Sequence, residues 1–380
     1  MPTPLPSDDA AKQTPPDAIE VDAIARGVVT AAAPTGGATP LQIALIDAIT
    51  DSMTGITVSV ADLPPIAAGD LASALAGRDA AFRRRIVQLM LLAELVLVPL
   101  PPVVADRVEA YAAELGVGDD LLHMTNRLAH GSLGLAMMDF QRAGYDAAWD
   151  PSRSNALHTK GALDAAWQEC THDADLAARW AALEGCPDDS LGLDVWRFYR
   201  SRGFHFPGAP GSASPLLAQH DWVHVLAGYG TRVESEIEVF GFIGRANDDP
   251  RGFSLLAMVI GLFETGYLPS AAGLFAYDRG HLSGLDGMAA RLADAMRRGA
   301  VSGAATGGPD LLAVDWFAHA DQPLDEARAE FGVGAKSEHA LAAGSVGPFD
   351  AGSMSPFQLE AGAALAVADG RDRLLWGASV

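Results

Sequence analysis

Gln219-His220-Asp221-Trp222-Val223-His224-Val225-Leu226-Ala227-Gly228-Tyr229-Gly230-Thr231-Arg232-Val233-Glu234-Ser235-Glu236 places two imidazoles and a carboxylate ahead of a glycine-bearing break and a further carboxylate after it. At 100° per residue His220 and His224 lie about 40° apart on a helix, and Asp221 falls within the same arc of about 100°. All three can face one ion. Glu236 follows His224 after eleven intervening residues, and on one straight helix it would stand about 18 Å away. The chain must therefore reverse. Gly228 and Gly230 can take positive φ and Thr231 can cap a new helix, so the stretch predicts helix, turn, helix, with donors from both helices.

Neutral imidazoles with carboxylate oxygen suit Zn(II) or an Fe- or Mn-type divalent ion. The candidate metal ligands are thus His220, Asp221, His224 and Glu236. Asp221 has two readings, a direct ligand or a carboxylate that accepts a proton from a ligand imidazole or bound water. Asp221 and Glu236 are also the candidate proton carriers for chemistry at the ion. Glu234 and Glu238 sit two positions either side of Glu236, point away from it and read as solvated surface acids. His205, close ahead of the first helix, is a candidate for the pocket lining. A zinc peptidase of the His-Glu-x-x-His type fits less well, because Asp221 is one methylene shorter than the glutamate base of that motif.

The pattern His-Asp-x-x-His with a glutamate after eleven more residues resembles the coenzyme Q biosynthesis protein 4 family. The resemblance extends upstream to Asp189-Ser190-Leu191-Gly192 and Trp196-Arg197-Phe198-Tyr199-Arg200. Downstream it takes in Asp315-Trp316-Phe317-Ala318, Gln322 through Arg328, and Phe331-Gly332-Val333, so that it spans roughly residues 165 to 335. It implies a helical domain of ubiquinone biosynthesis that binds one divalent metal and a prenylated aromatic intermediate, with oxidative decarboxylation replacing the C1 carboxyl by hydroxyl. The alternative is a non-catalytic, prenyl-lipid-binding scaffold with a structural metal site. The implied partners are that prenylated small molecule, other proteins of quinone synthesis and a second copy of the chain as a homodimer. Two features depart from the family: some 160 residues precede the resembling segment, and the surface is strongly acidic.

A formal charge of −22 over 380 residues repels nucleic-acid phosphate and anionic headgroups, so nucleic acid is an unexpected partner and membrane contact is expected to be apolar and peripheral. The two cysteines form no CxxC arrangement and suit a reducing compartment. The first residues carry neither the apolar core of a secretory signal nor the Arg-rich face of a transit peptide. The expected location is cytoplasmic, including the inner face of the membrane. Gln88, Glu94 and Pro99 interrupt the apolar run from Ile86 to Val104, which therefore reads as a buried helix.

The fold class expected is all-α in two helical domains. Residues 1–38, rich in Pro, Ala, Asp and Thr, read as a flexible arm, and 39–150 as an N-terminal helical bundle. Its helices are expected from Leu41 to Met53 behind Thr39 and Pro40, then Gly69 to Ala76, Ala80 to Val98, Val103 to Leu115 and Asp120 to Gly144. Residues 163–345 form the metal-binding, quinone-biosynthesis-like domain. Its apolar helix near Arg251 to Glu264 offers Met258, Ile260, Leu262 and Phe263 as core or as the wall of a prenyl groove. Residues 346–380 read as a C-terminal tail with one helix from Pro356 to Val367. Sustained alternation of β-branched residues is confined to Gly55 to Val60.

Overall fold

The computed structural model describes residues 16–118, 122, 172–213, 215, 217–246, 253, 256–257, 259–265, 279–308 and 310–377. Among these the structure is all-α. Helices α1 (Ala18–Ala32), α2 (Pro40–Thr54), α3 (Ala68–Ala74), α4 (Ala80–Leu95) and α5 (Pro102–Glu114) make up the first part. Helices α6 (Ala174–Ala181), α7 (Leu191–Arg202), α8 (Gln219–Ala227), α9 (Val233–Arg245), α10 (Met288–Thr306), α11 (Leu324–Glu330), α12 (Glu338–Ala342) and α13 (Pro356–Asp369) follow. No strand occurs among the described residues; 55–59 is irregular, and Ser190 and Pro323 form an isolated antiparallel bridge. No helix among them is long and apolar enough to cross a membrane. Apart from the buried Leu122, the expected helix at Asp120 to Gly144 lies outside the described residues, as do the boundary between 150 and 163 and Met258, whereas Ile260 and Phe263 are buried.

The expected flexible arm holds a helix. In α1, Asp17 accepts from the backbone of Ile19 and Glu20 while Glu20 reaches back to the Asp17 N–H, a reciprocal box that satisfies the first free donors. Val21, Ile24, Ala25, Val28, Ala31 and Ala32 are buried, an i, i+3, i+4, i+7 stripe in which bulky Val and Ile alternate with alanine. Helix α2 begins as expected, with Thr39 as cap, Gln42 completing the box and Pro40 in the first turn. The buried Gln42 amide also donates to Ala32 O at 2.9 Å and Ala93 O at 2.7 Å, tying α1 and α4 to α2.

Helix α10 joins the first part to the second. It packs along α2 and along α9, and its buried positions run from Met288 and Leu292 through Met296 to Gly299 and Ser302. At Gly299 a Cβ would stand 2.1 Å from the Phe242 carbonyl oxygen, so only glycine lets α9 approach this closely. Beside this crossing the Arg298 guanidinium donates to Ala227 O at 2.8 Å, at the end of α8, and to the Tyr229 hydroxyl at 2.5 Å. Lys336 lies over the Tyr229 ring, 4.6 Å from its centroid, and donates to Val346 O at 2.8 Å.

The expected C-terminal tail is part of the packed structure. Ser355 and Gln358 form a capping box for α13, α13 packs on α7, and Trp376 is buried with its ring 6.4 Å from that of Trp196.

Two measurements check this packing. Gly299→Ala is expected to lower unfolding stability by about 1–3 kcal/mol in denaturant titration, the usual range for overpacking. Gly69→Ala, in α3 with no atom near its added Cβ, is expected to be neutral or to stabilise by up to about 1 kcal/mol. The second measurement concerns Lys336, which burial pushes down from 10.5 to about 8. The folded chain releases this proton first, so between pH 8 and 10.5 the unfolded chain holds more protons and Lys336 contributes stability that rises with pH. The stability of the wild type relative to Lys336→Met is expected to increase across that window.

Candidate metal centre

Helix α8 ends where expected: Gly228 takes φ 77° and its N–H returns to His224 O. Thr231 does not cap α9. The cap position is Arg232 with no side-chain hydrogen bond, and the Thr231 hydroxyl instead accepts from Arg202 Nε at 2.8 Å and donates to Gln358 Oε1 at 2.9 Å. The turn is gripped from outside by the C-terminal segment. Thr231 N donates to Ser353 O at 2.8 Å and Gly230 N to Val346 O at 3.2 Å.

This reversal brings the expected donors together. Glu236 Oε2 lies 3.4 Å from His220 Nε2 and 3.4 Å from His224 Nε2, and Asp221 Oδ1 lies 3.6 Å from His220 Nε2. One donor atom each of His220, Asp221 and His224 falls within 4.8 Å of the others. His220 Nδ1 is bonded to Leu217 O; as the carbonyl can only accept, Nδ1 carries a hydrogen and Nε2 is the nitrogen that faces the cluster. The His224 side chain is fully enclosed, at 0% exposure, while His220 and Glu236 retain 12% and 16%. Solvent therefore reaches the cluster from the His220 and Glu236 side.

Charge and burial oppose each other here. Burial works against a proton on His220, but Asp221 and Glu236 outweigh it and push the group up to about 9. Burial would likewise raise Glu236, yet His224 and His220 hold its carboxyl well below the usual carboxylate range. Arg202, 1% exposed, makes its hydrogen bonds to neutral groups: Thr231, Ser201 and the carbonyls of Phe198 and Pro348. Burial brings it down to about 9 against the pull of Asp221 and Glu236.

The expectation for Glu234 and Glu238 is half right. Both point away from the donor cluster, but neither is solvated. Glu234 accepts from His281 Nδ1 at 2.9 Å, a bond that outweighs burial and lowers it to about 2. Glu238, 1% exposed, meets Arg291 at 2.6 Å and the Ser345 hydroxyl at 2.5 Å. Helical spacing gave their direction; which elements cover that side is a tertiary fact. His205 is exposed, and the neighbouring Phe204 and Phe206 pack on Tyr199 instead.

Helix α7 supplies residues that sequence reasoning did not assign to the site. Tyr199 donates to Asp221 Oδ2 at 2.5 Å, and Phe198 packs on His224 with centroids 5.6 Å apart. From α9, Phe240 stacks on His220 at 5.1 Å. The segment Trp196 to Arg200 drew notice in the sequence, but no local spacing links Tyr199 to Asp221.

Compared with known proteins, the chain matches no family model, no curated protein and no solved structure. The resemblance to the coenzyme Q biosynthesis protein 4 family therefore rests on the quoted motifs alone.

Removing Glu238 should separate the surrounding ion pairs from the donor cluster. Glu238→Ala strands the Arg291 guanidinium and is expected to cost about 3–5 kcal/mol in chemical denaturation, with the metal content of the remaining folded protein unchanged.

Proposed function

We propose that this chain holds one divalent metal ion between His220, His224, Glu236 and Asp221. The carrying observation is the spacing of the donors. Bonds of about 2.1 Å at tetrahedral angles set neighbouring donor atoms about 3.4 Å apart; His220–Glu236, His224–Glu236 and His220–Asp221 are separated by 3.4, 3.4 and 3.6 Å, and His220, Asp221 and His224 offer atoms within 4.8 Å of one another. These are long for hydrogen bonds and natural for atoms that share an ion. Both nitrogens of the buried His224 lack a hydrogen-bond partner, an arrangement that costs about 1–3 kcal/mol per unsatisfied group and that coordination through Nε2 would in part offset.

We further propose, from the motif resemblance, that the centre serves quinone synthesis by acting on a prenylated aromatic intermediate. An ion bound here would supply a Lewis acid for a substrate oxygen, and a redox-active one would also serve oxidative decarboxylation. Glu236 is the permanent anion of the set, held ionised by the imidazoles. Asp221 is poorly suited to accept a proton through Oδ2, because the Tyr199 hydroxyl already occupies that oxygen; its part is to present Oδ1. Glu236 is the carboxylate on the more exposed side, where its fixed negative charge faces an incoming substrate. Phe240 and Phe198, packed on the imidazole rings, hold them in place and exclude water from their faces.

One observation favours the scaffold alternative. Four protein donors are enough to fill a tetrahedral shell, and a closed shell is typical of structural zinc. Cobalt(II) substitution separates the two, since a shell with a water position gives a spectrum that changes on adding azide and a closed one does not.

Elemental analysis tests the site itself. Wild-type protein is expected to carry about one divalent ion per chain and His224→Ala to lose it; equal metal content in the two would remove the proposal. Mass spectrometry of the same wild-type preparation, expected to detect a copurified prenylated species, tests the substrate class.

A further inference from the structure

We propose that Tyr199 is a positioning residue for the metal centre: its hydroxyl anchors Asp221 through Oδ2 and thereby directs Oδ1 toward the ion as a single-oxygen ligand. The inference rests on the reading of His220, His224 and Glu236 as metal donors.

The Tyr199 side chain is 2% exposed and its hydroxyl lies 2.5 Å from Asp221 Oδ2. That is the short end of the range for O–H donation to a carboxylate, the strong charge-assisted class. The phenol cannot readily swing away. Its ring stacks on Phe206 at 25° with centroids 5.6 Å apart, and Trp180 and Phe204 flank it at 5.1 and 5.9 Å. Trp180 also packs on Trp222, 5.4 Å away, which follows Asp221 on α8. The aromatic layer thus fixes donor and acceptor relative to each other.

The bond to Tyr199 fixes the rotation of the Asp221 carboxylate and draws electron density from Oδ2, which leaves the other oxygen the better placed donor. Oδ1 of Asp221 is that atom, 3.6 Å from His220 Nε2, close to the separation of two ligands sharing a metal. Without the hydroxyl, Asp221 can rotate or offer both oxygens, and the preorganised geometry is lost. Hydrogen bonds that orient metal ligands in this way are typically worth about 10–100-fold in affinity. A tyrosine that merely filled space would be replaced by phenylalanine without such a loss.

The test is a cobalt(II) titration of the full-length wild type, Tyr199→Phe, Asp221→Ala, the double variant and His224→Ala, read by visible absorption. Tyr199→Phe is expected to bind cobalt about 10–100-fold more weakly with a shifted absorption band. In the Asp221→Ala background the same change is expected to have no further effect, since nothing is left to position. Binding by Tyr199→Phe within about twofold of wild type, or an undiminished further loss in the double variant, would overturn the positioning role while leaving the metal site standing. Wild-type uptake that is absent, or that survives in His224→Ala, would overturn both. Should Tyr199→Phe fail to fold, Asp221→Asn decides. Its amide oxygen can still accept from Tyr199 and then turns a non-ligating NH2 toward the ion, so at least tenfold weaker binding is expected, and wild-type affinity would overturn the proposal.

Discussion

The arrangement of the candidate centre depends on one constraint, the reversal of the chain between α8 and α9. Two imidazoles on consecutive turns of a helix make an incomplete set of donors, and the carboxylate that completes it arrives only because the chain doubles back within a few residues. Gly228 makes the first part of that turn through a left-handed conformation. The rest is imposed from a distance. Ser353 and Val346 take the N–H groups of Thr231 and Gly230, and Arg202 and Gln358 hold the Thr231 hydroxyl. A side chain suited by composition to cap α9 is used instead to bind α7 and the C-terminal segment to the turn. The C-terminal segment is thereby a structural part of the site through its hold on the turn.

Burying acid is the second constraint. The chain carries 48 acidic against 26 basic side chains, and α9 alone places Glu234, Glu236 and Glu238 within its first turns. Three carboxylates this close would repel one another if all were left open. Glu234 is paired with His281 and Glu238 with Arg291, and Glu236 alone turns toward His220 and His224. The flanking pairs reduce the negative potential that Glu236 would otherwise share. Arg202 adds a positive charge that no carboxylate bonds directly, so its field is available to both Asp221 and Glu236. Specific partners on either side thus leave one acid turned toward the imidazoles.

The helix–turn–helix, and the approach of His220, Asp221, His224 and Glu236 to one another, were legible in the sequence because they rest on local rules, helical angle and glycine punctuation. The start of α2 was legible for the same reason, since Thr39 and Pro40 mark it. Where the reading failed, the deciding partner lay far away in the chain. Glu238 is covered through Arg291 and Ser345, and Trp376 is buried against Trp196, contacts with no local period. Helix α1 is a different case. Its capping box at Asp17 and Glu20 and its apolar stripe at Val21, Ile24, Ala25 and Val28 were present in the sequence, but the average composition of residues 1–38, weighted by the prolines before the helix, hides them.

Helix α7 shows how one element can serve both packing and site without contributing a ligand. Phe198, Tyr199 and Arg202 occupy adjacent positions and the next turn, so helical geometry puts them on a shared sector facing α8. From there Phe198 supports His224, Tyr199 holds Asp221 and Arg202 grips Thr231 in the reversal. A displacement of α7 would therefore move three supports together. Gly203 ends the helix directly after Arg202 with φ 68°, returning the chain through Phe204 and Phe206 onto the Tyr199 ring. The same packing that buries α7 thus limits how far its side chains can move, and the precision of the donor cluster follows from the rigidity of an aromatic core.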